Sequence, residues 1–425
     1  MIALILVVFV VGYLAIAFEH KLNINKSAPA LMTAVLCWTI YTVSQPDPEQ
    51  TIETLYHHLG PIAGILFFLL GAMVIVELVD GHGGLEIITT QIRTTDKLRL
   101  LWITGFVTFF LSAVLDNLTT TIVMVSLMRK LMKDRDDRLF FAGIIVIAAN
   151  AGGAWSPIGD VTTTMLWVGG QITALNIVKM LFLPALVCLM APLIGLSFVV
   201  KGNVKAPDVD HNDNAGTTPF ERSVVFFLGI GALLFVPIFK SITHQPPFMG
   251  ILLGLSVLWT TTEIMHAGKD PVRTSRHTVA NALRQIDAAS ILFFLGILLA
   301  IAALEASGIL THAATWLDRN IGNMAITGLL IGLLSAVVDN VPLVAATQGM
   351  YDLSAYPPDS FLWEYIAYCA GTGGSILIIG SAAGVAAMGM EKIDFFWYLK
   401  RIALLALVGY LAGAGTYLFM YAMLH

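Results

Sequence analysis

Two Asp–Asn pairs occupy nearly the same apolar setting: Leu111–Thr121 reads LSAVLDNLTTT and Leu334–Val344 reads LSAVVDNVPLV. An ionised Asp at the centre of a membrane-spanning helix costs ~2.5 to 3.5 kcal/mol on insertion scales, so two of them need a return. Ser112, Asn117, Thr119 and Thr120 flank Asp116, while Ser335 and Asn340 flank Asp339. Carboxylate, amide and hydroxyl oxygens are the ligands of a hard cation, and the same carboxylates can hold protons. Asp and Asn are also good N-caps. Ser or Thr would cap nearly as well without a charge, so capping accompanies the ion-site reading and does not replace it. A third acid, Asp160, opens DVTTT after the Pro157 break with Thr162 and Thr163 close by. It reads as the N-cap of a half-helix and as a candidate ligand.

The elements that must position these groups belong to a membrane protein. Of 425 residues, 57% are hydrophobic and only 12% charged, against roughly 25% charged in a soluble domain. Apolar runs long enough to cross the bilayer recur from end to end and leave no soluble domain. Spans are expected near 1–18, 27–44 and 60–79, with an acidic outer loop at 47–53. A unit at 99–133 is interrupted at Asp116–Asn117, a second at 139–172 breaks at Asn150-Ala-Gly-Gly and Ser156-Pro-Ile-Gly-Asp160, and a plain span follows at 174–200. The glycines there, and in Thr372-Gly-Gly, are expected where a helix unwinds and offers carbonyls. Unwound backbone in a membrane is tolerated only where protein or a cavity surrounds it.

After a hydrophilic connection, Lys201–Glu221, the order repeats, with spans near 222–240, 247–264 and 288–305. The second interrupted unit, at Asp339–Asn340, follows, then a broken unit carrying GTGGSILIIGS at 371–381 and a last span at 396–423. LSAVLDN matches LSAVVDN in six of seven residues, and Gly152, Gly153 and Gly159 match Gly373, Gly374 and Gly380. The expected fold class is therefore an all-α polytopic membrane protein made of two repeats, 1–200 and 222–425. Lys and Arg gather on the cytoplasmic side of short loops. With both termini outside, only Lys179, Lys240 and Arg319 of the 23 basic residues fall outside. Each half then makes five spans, with a re-entrant hairpin and a discontinuous helix, and the odd crossing number inverts one half relative to the other.

Other signals are weaker. Cys37, Cys188 and Cys369 lie in apolar runs without metal-binding spacing and read as packing residues. The first segment has no basic residue ahead of its apolar core, so it reads as a retained span rather than a signal peptide. Glu77, Asp80 and Glu305 read as solvated boundary residues. His57, His58, His82, His244 and His312 could in principle sense pH. The tryptophans suit interfaces and packing, and no cofactor or nucleic-acid partner is indicated.

The motifs SAVLDNLTTT and SAVVDNVPL, together with NAGGAWSPIGDVTTTMLW and GTGGSILIIGSAAG, resemble the NhaD-type sodium/proton antiporters of the ion transporter superfamily over nearly the whole chain. The resemblance implies a homodimer in a bacterial cytoplasmic (inner) membrane that expels Na+ or Li+ in exchange for H+. It carries ion-site roles to Ser112, Asp116, Asn117, Thr119, Asn150, Asp160, Thr162, Ser335, Asp339 and Asn340, with Thr372 beside them and Asp116, Asp339 and Asp160 as Na+ ligands. Relatives that carry dicarboxylates are similar in scaffold but have Ser-Asn-Thr at the hairpin tips. An anion, arsenite or dicarboxylate permease is thus the alternative, disfavoured by two carboxylates that would repel an anion. An intramembrane aspartyl protease, which also buries two Asp, resembles other members of its class in Gly-x-Gly-Asp. Here Pro157 takes the first of those positions, and the protein is not expected to be an enzyme.

Overall fold

The computed structural model describes residues 2–17, 24–84, 87, 94–204, 217–267, 269, 277–337 and 339–424, so most of the connection between the expected halves, 205–216, lies outside the described residues. The described chain is α-helical and has no strand beyond one isolated bridge, between Asp96 and Asn203. Nine described helices are long and apolar enough to cross a membrane. The chain is an all-α polytopic membrane protein.

The first three helices are α1 (Ile2–Ala17), α2 (Ser27–Ser44) and α3 (Pro48–Gly81). A helical hairpin, α4 (Lys97–Leu115) and α5 (Asn117–Leu131), leads into a broken helix, α6 (Arg135–Ala154) and α7 (Val161–Val168), and then α8 (Ala174–Ser197). The later elements are α9 (Pro219–Thr243), α10 (Pro247–His266), the short α11 (Val279–Gln285), α12 (Ala288–Ala306) and α13 (Ile309–Asn320). A second hairpin, α14 (Met324–Ser335) and α15 (Asn340–Met350), precedes a second broken helix, α16 (Phe361–Gly373) and α17 (Ala382–Glu391), before α18 (Phe395–Arg401) and α19 (Ala403–Leu424).

Two expectations change. Residues 47–53 are not a loop. Asp47 accepts the N–H groups of Glu49 and Gln50, Pro48 opens the helix where no N–H is needed, and Glu49 suits its positive end, so α3 starts there and runs unbroken for 34 residues. The glycines of Asn150-Ala-Gly-Gly do not lie in unwound chain either: Gly152 and Gly153 belong to α6 and Gly373 to α16, and of the glycines in this motif and in Thr372-Gly-Gly only Gly374 falls in a break, directly after α16. Their role is close approach. A Cβ on Gly152 would stand 2.2 Å from the Phe109 carbonyl oxygen of α4, and one on Gly373 2.0 Å from the Gly332 carbonyl oxygen of α14. Each hairpin thus rests backbone to backbone on its broken helix.

The two broken helices form the centre. Every residue from Phe141 to Ala154 in α6 and from Leu362 to Gly373 in α16 is buried. The second hairpin arm α5 packs on α17, and α15 packs on α7, so each hairpin reaches the broken helix of the other half of the chain. Outside this core, α2 packs against α12, α8 against α19, and α9 against α10. Edge charges are tied down: Lys97 pairs with Asp137 at 2.6 Å, and Arg129 and Arg138 both reach the buried Glu391 at 2.7 and 3.1 Å. The charged run 129–138 thus fastens α5 and α6 to the end of α17. All three cysteines are buried free thiols.

Candidate functional site

The two hairpin tips and the first broken helix deliver three carboxylates to one pocket, lined by Asp116, Asn117, Thr119, Asp160, Asp339 and Asn340. Phe68, Leu69, Ala72 and Met73 of α3 and Phe294 of α12 form its apolar wall. The local chain conformation sets each group. Asp116 alone separates α4 from α5, at φ 83° and ψ 161°, a region nearly restricted to glycine and worth about 1–3 kcal/mol of strain for another residue. Its carboxylate caps α5: one oxygen accepts the Thr119 N–H at 2.8 Å and the other the Thr119 hydroxyl at 2.9 Å. Asp339 likewise caps α15, accepting the Val341 N–H at 3.2 Å.

Asp160 behaves differently. It stands at the N-cap position of α7 but forms no side-chain cap bond. Its carboxylate accepts from the Thr162 hydroxyl at 2.8 Å and from the amides of Asn117 and Asn340, both at 3.3 Å. One Asn from each hairpin thus converges on a single acid, 2% exposed. The Asn117 amide also donates to Asn150 Oδ1 at 3.0 Å, and Asn150 Nδ2 donates to Ser381 Oγ at 2.9 Å. Ser381, at the start of α17, occupies the place that Asp160 holds at the start of α7, and it does cap, accepting the Gly384 N–H at 3.2 Å.

Three expected site residues point elsewhere. Ser112 donates to the Ala149 carbonyl at 2.6 Å and Ser335 to the Ala370 carbonyl at 2.9 Å, so both clamp a hairpin to its broken helix. Thr372 donates to the Tyr368 carbonyl at 2.6 Å within α16. Two residues not expected at the site join it: Ser381, through Asn150, and Lys26, whose Nζ lies 3.5 Å from Asp339 Oδ2. Ser381 was visible only as the uncharged counterpart of Asp160. Lys26, directly before an apolar span, carried no sequence signal beyond that of an edge charge.

Three carboxylates, two carboxamides and hydroxyls around one small space can take up a hard monovalent cation or protons. They do not suit an anion. Comparison with known proteins bears on the choice. The profile of the CitMHS family, described as citrate transporter, matches residues 13–365. The chain is 52% identical over 410 residues to Sodium/proton antiporter 1 of Arabidopsis thaliana, covering 96% of this chain and 71% of that protein. It is 47% identical over 420 residues to Sodium/proton antiporter 2 of the same plant, covering 96% and 97%. It is 31% identical over 446 residues to Na(+)/H(+) antiporter NhaD of Vibrio cholerae, covering 98% and 91%.

Proposed function

Given that the chain belongs to the NhaD-type sodium/proton antiporters and exchanges Na+ for H+, we propose that the exchange runs through competition of the two cations for Asp116, Asp160 and Asp339. The observation that carries this reading is the convergence of three carboxylates, from three separate helix breaks, on one pocket. Bare carboxylates in a low-dielectric core repel one another. Either Na+ or protons relieve that repulsion, and a site relieved by one has little affinity left for the other. No further coupling device is then needed, provided that only a neutralised site crosses the barrier. Citrate, named in the description of the matching family, is an anion that the same carboxylates would repel.

Asn117, Asn340, Thr119 and Thr162 supply neutral oxygens or orient the acids, Asn150 braces Asn117, and the Ser112 and Ser335 clamps keep each hairpin on its broken helix. Li+, a hard cation of the same charge, is a second substrate in this reading. The two units, 1–200 and 222–425, are proposed to be inverted repeats, supported by their matched hairpins and glycines, and the protein is proposed to act as a homodimer. Its membrane is proposed to be a bacterial cytoplasmic (inner) membrane, as the bacterial source of the NhaD relative suggests, and both termini are proposed to lie outside on the basic bias of its loops.

Purified protein in proteoliposomes loaded with a pH dye tests the mechanism. Adding Na+ outside an acid-loaded vesicle should release protons, and Asp116→Asn, Asp160→Asn or Asp339→Asn should each abolish the response. Undiminished exchange in these variants overturns the competition model, and citrate uptake indifferent to Na+ overturns the cation reading.

A further inference from the structure

Lys26 places a positive charge inside the pocket, and we propose that its ammonium is a tethered competitor of Na+ at Asp339. The inference rests on the antiporter reading of this site. Lys26 Nζ lies 3.5 Å from Asp339 Oδ2 and 4.4 Å from the centroid of the Phe293 ring, and it lines the same pocket as Asp116 and Asp160. The ring face holds a cation by its quadrupole without neutralising it. At 3.5 Å the pair is longer than a charge-assisted hydrogen bond, which runs about 2.7–2.9 Å, and is a contact that an entering ion can replace. Both side chains remain partly accessible, at 25% and 20%.

The other two acids are held by neutral groups, Asp116 by Thr119 and Asp160 by Thr162, Asn117 and Asn340. Asp339 is thus the acid whose charge a built-in cation answers. Lys26 is also carried by a different body from the hairpin. It precedes α2, which is fastened along α12 by three bonds: Ser27 to the Ala289 carbonyl (2.6 Å), Trp38 to the Leu299 carbonyl (2.8 Å) and Tyr41 to the Ala306 carbonyl (2.9 Å). When the site is empty, the ammonium neutralises Asp339 in place of cargo. When Na+ binds Asp339, two positive charges lie within a few ångströms and the ammonium is driven off. The wild-type affinity for Na+ is therefore set below what the carboxylates alone would give.

The test reads Na+ binding separately from turnover. Detergent-solubilised protein at pH 9 is titrated with NaCl, and the Na+ concentration giving half of the Na+-induced rise in melting temperature is recorded beside the exchange KM in proteoliposomes. Lys26→Met, which keeps the stem on Phe293, and Lys26→Gln should lower both values about tenfold, whereas Lys26→Arg should stay within about twofold of wild type. In an Asp339→Asn background, Lys26→Met should change the binding midpoint no further. A purely structural tether would give the opposite pattern, a lower melting temperature and kcat with an unchanged or higher Na+ midpoint, and that result overturns the proposal. A Lys26→Met protein too unstable to titrate, with Lys26→Gln and Lys26→Arg at the wild-type midpoint, overturns it as well. Absence of any Na+ response in the wild-type protein would instead overturn the antiporter reading itself.

Discussion

Asn150 donates to Ser381 across 2.9 Å, joining the first broken helix to the start of the second at the position equivalent to Asp160. The same Asn accepts from Asn117, so one carboxamide links a hairpin tip and both helix breaks. Ser381→Ala removes the acceptor of Asn150 Nδ2 and the cap of Gly384 N–H together. A buried donor left unpaired costs about 1–3 kcal/mol. The variant should melt several degrees lower in a thermal-shift assay while retaining exchange, because the three carboxylates remain. Loss of exchange at full stability would show that Ser381 acts on the ions directly.

At Asp116 the backbone angle and the side chain make separable demands. Asp116→Gly and Asp116→Ala both remove the carboxylate and both should be inactive. Only Gly relieves the strain of φ 83°, ψ 161°, so the Gly variant should be more stable than the Ala variant by roughly 1–3 kcal/mol. Denaturation of the two proteins in the same detergent checks the difference, and equal stabilities would mean that the angle is not strained.

The glycine contacts predict a position-dependent response to one methyl group. Gly152→Ala and Gly373→Ala would drive a Cβ into a backbone carbonyl of the neighbouring hairpin. Each should destabilise by about 1–3 kcal/mol or more and slow exchange. Gly415 in α19 has nothing within 4 Å of its Cβ position, so Gly415→Ala should be neutral or stabilise by about 0.5–1 kcal/mol. Similar melting temperatures for all three variants would remove the close-approach argument.

His82 follows the C-terminal end of α3, fully buried, with Nδ1 donating to the Leu78 carbonyl at 2.7 Å. His266 and His277 stand beside it at ring-centroid distances of 5.3 and 5.0 Å. Burial, more than the neighbouring imidazoles, pushes its pKa down to about 4 from the ordinary 6.5. The unfolded chain therefore binds this proton first as pH falls. The contribution of His82 to stability is complete above about pH 6.5 and is lost between there and about pH 4. Melting temperature should fall through that window, and less steeply in His82→Gln. A group neutral throughout this range does not report alkaline pH by its charge, so His82→Gln should leave the alkaline limb of the exchange profile in place.

The hairpins and broken helices were legible because they violate apolar monotony: a charge, a Pro or a Gly pair is conspicuous in a run of Leu, Ile and Val, and the Asp–Asn and Gly–Gly pairs each occur twice. What a side chain does after the break was not legible. Asp116, Asp339 and Asp160 all sit where a capping residue sits, yet only the first two cap. The third turns to Asn117 and Asn340, which are distant in sequence and come together only through packing. Lys26 was hidden for the same reason, since its partner Asp339 is 313 positions away. The start of α3 was misread because an acidic stretch suits a loop and a helix N-terminus equally, and the Asp47 cap with Pro48 decides between them.

The backbone contacts at Gly152 and Gly373 also constrain how this molecule can move. Side chains at an interface can change rotamer and let helices slide, but two main chains in contact have no such slack. Each hairpin and its broken helix are therefore welded, and the arms α5 on α17 and α15 on α7 join the two welds into one body. Relative displacement is left to the seams where that body meets α2, α3 and α12. Asp339 lies on one side of such a seam and Lys26 on the other, so the distance between them is a coordinate along which the transport step itself could be followed.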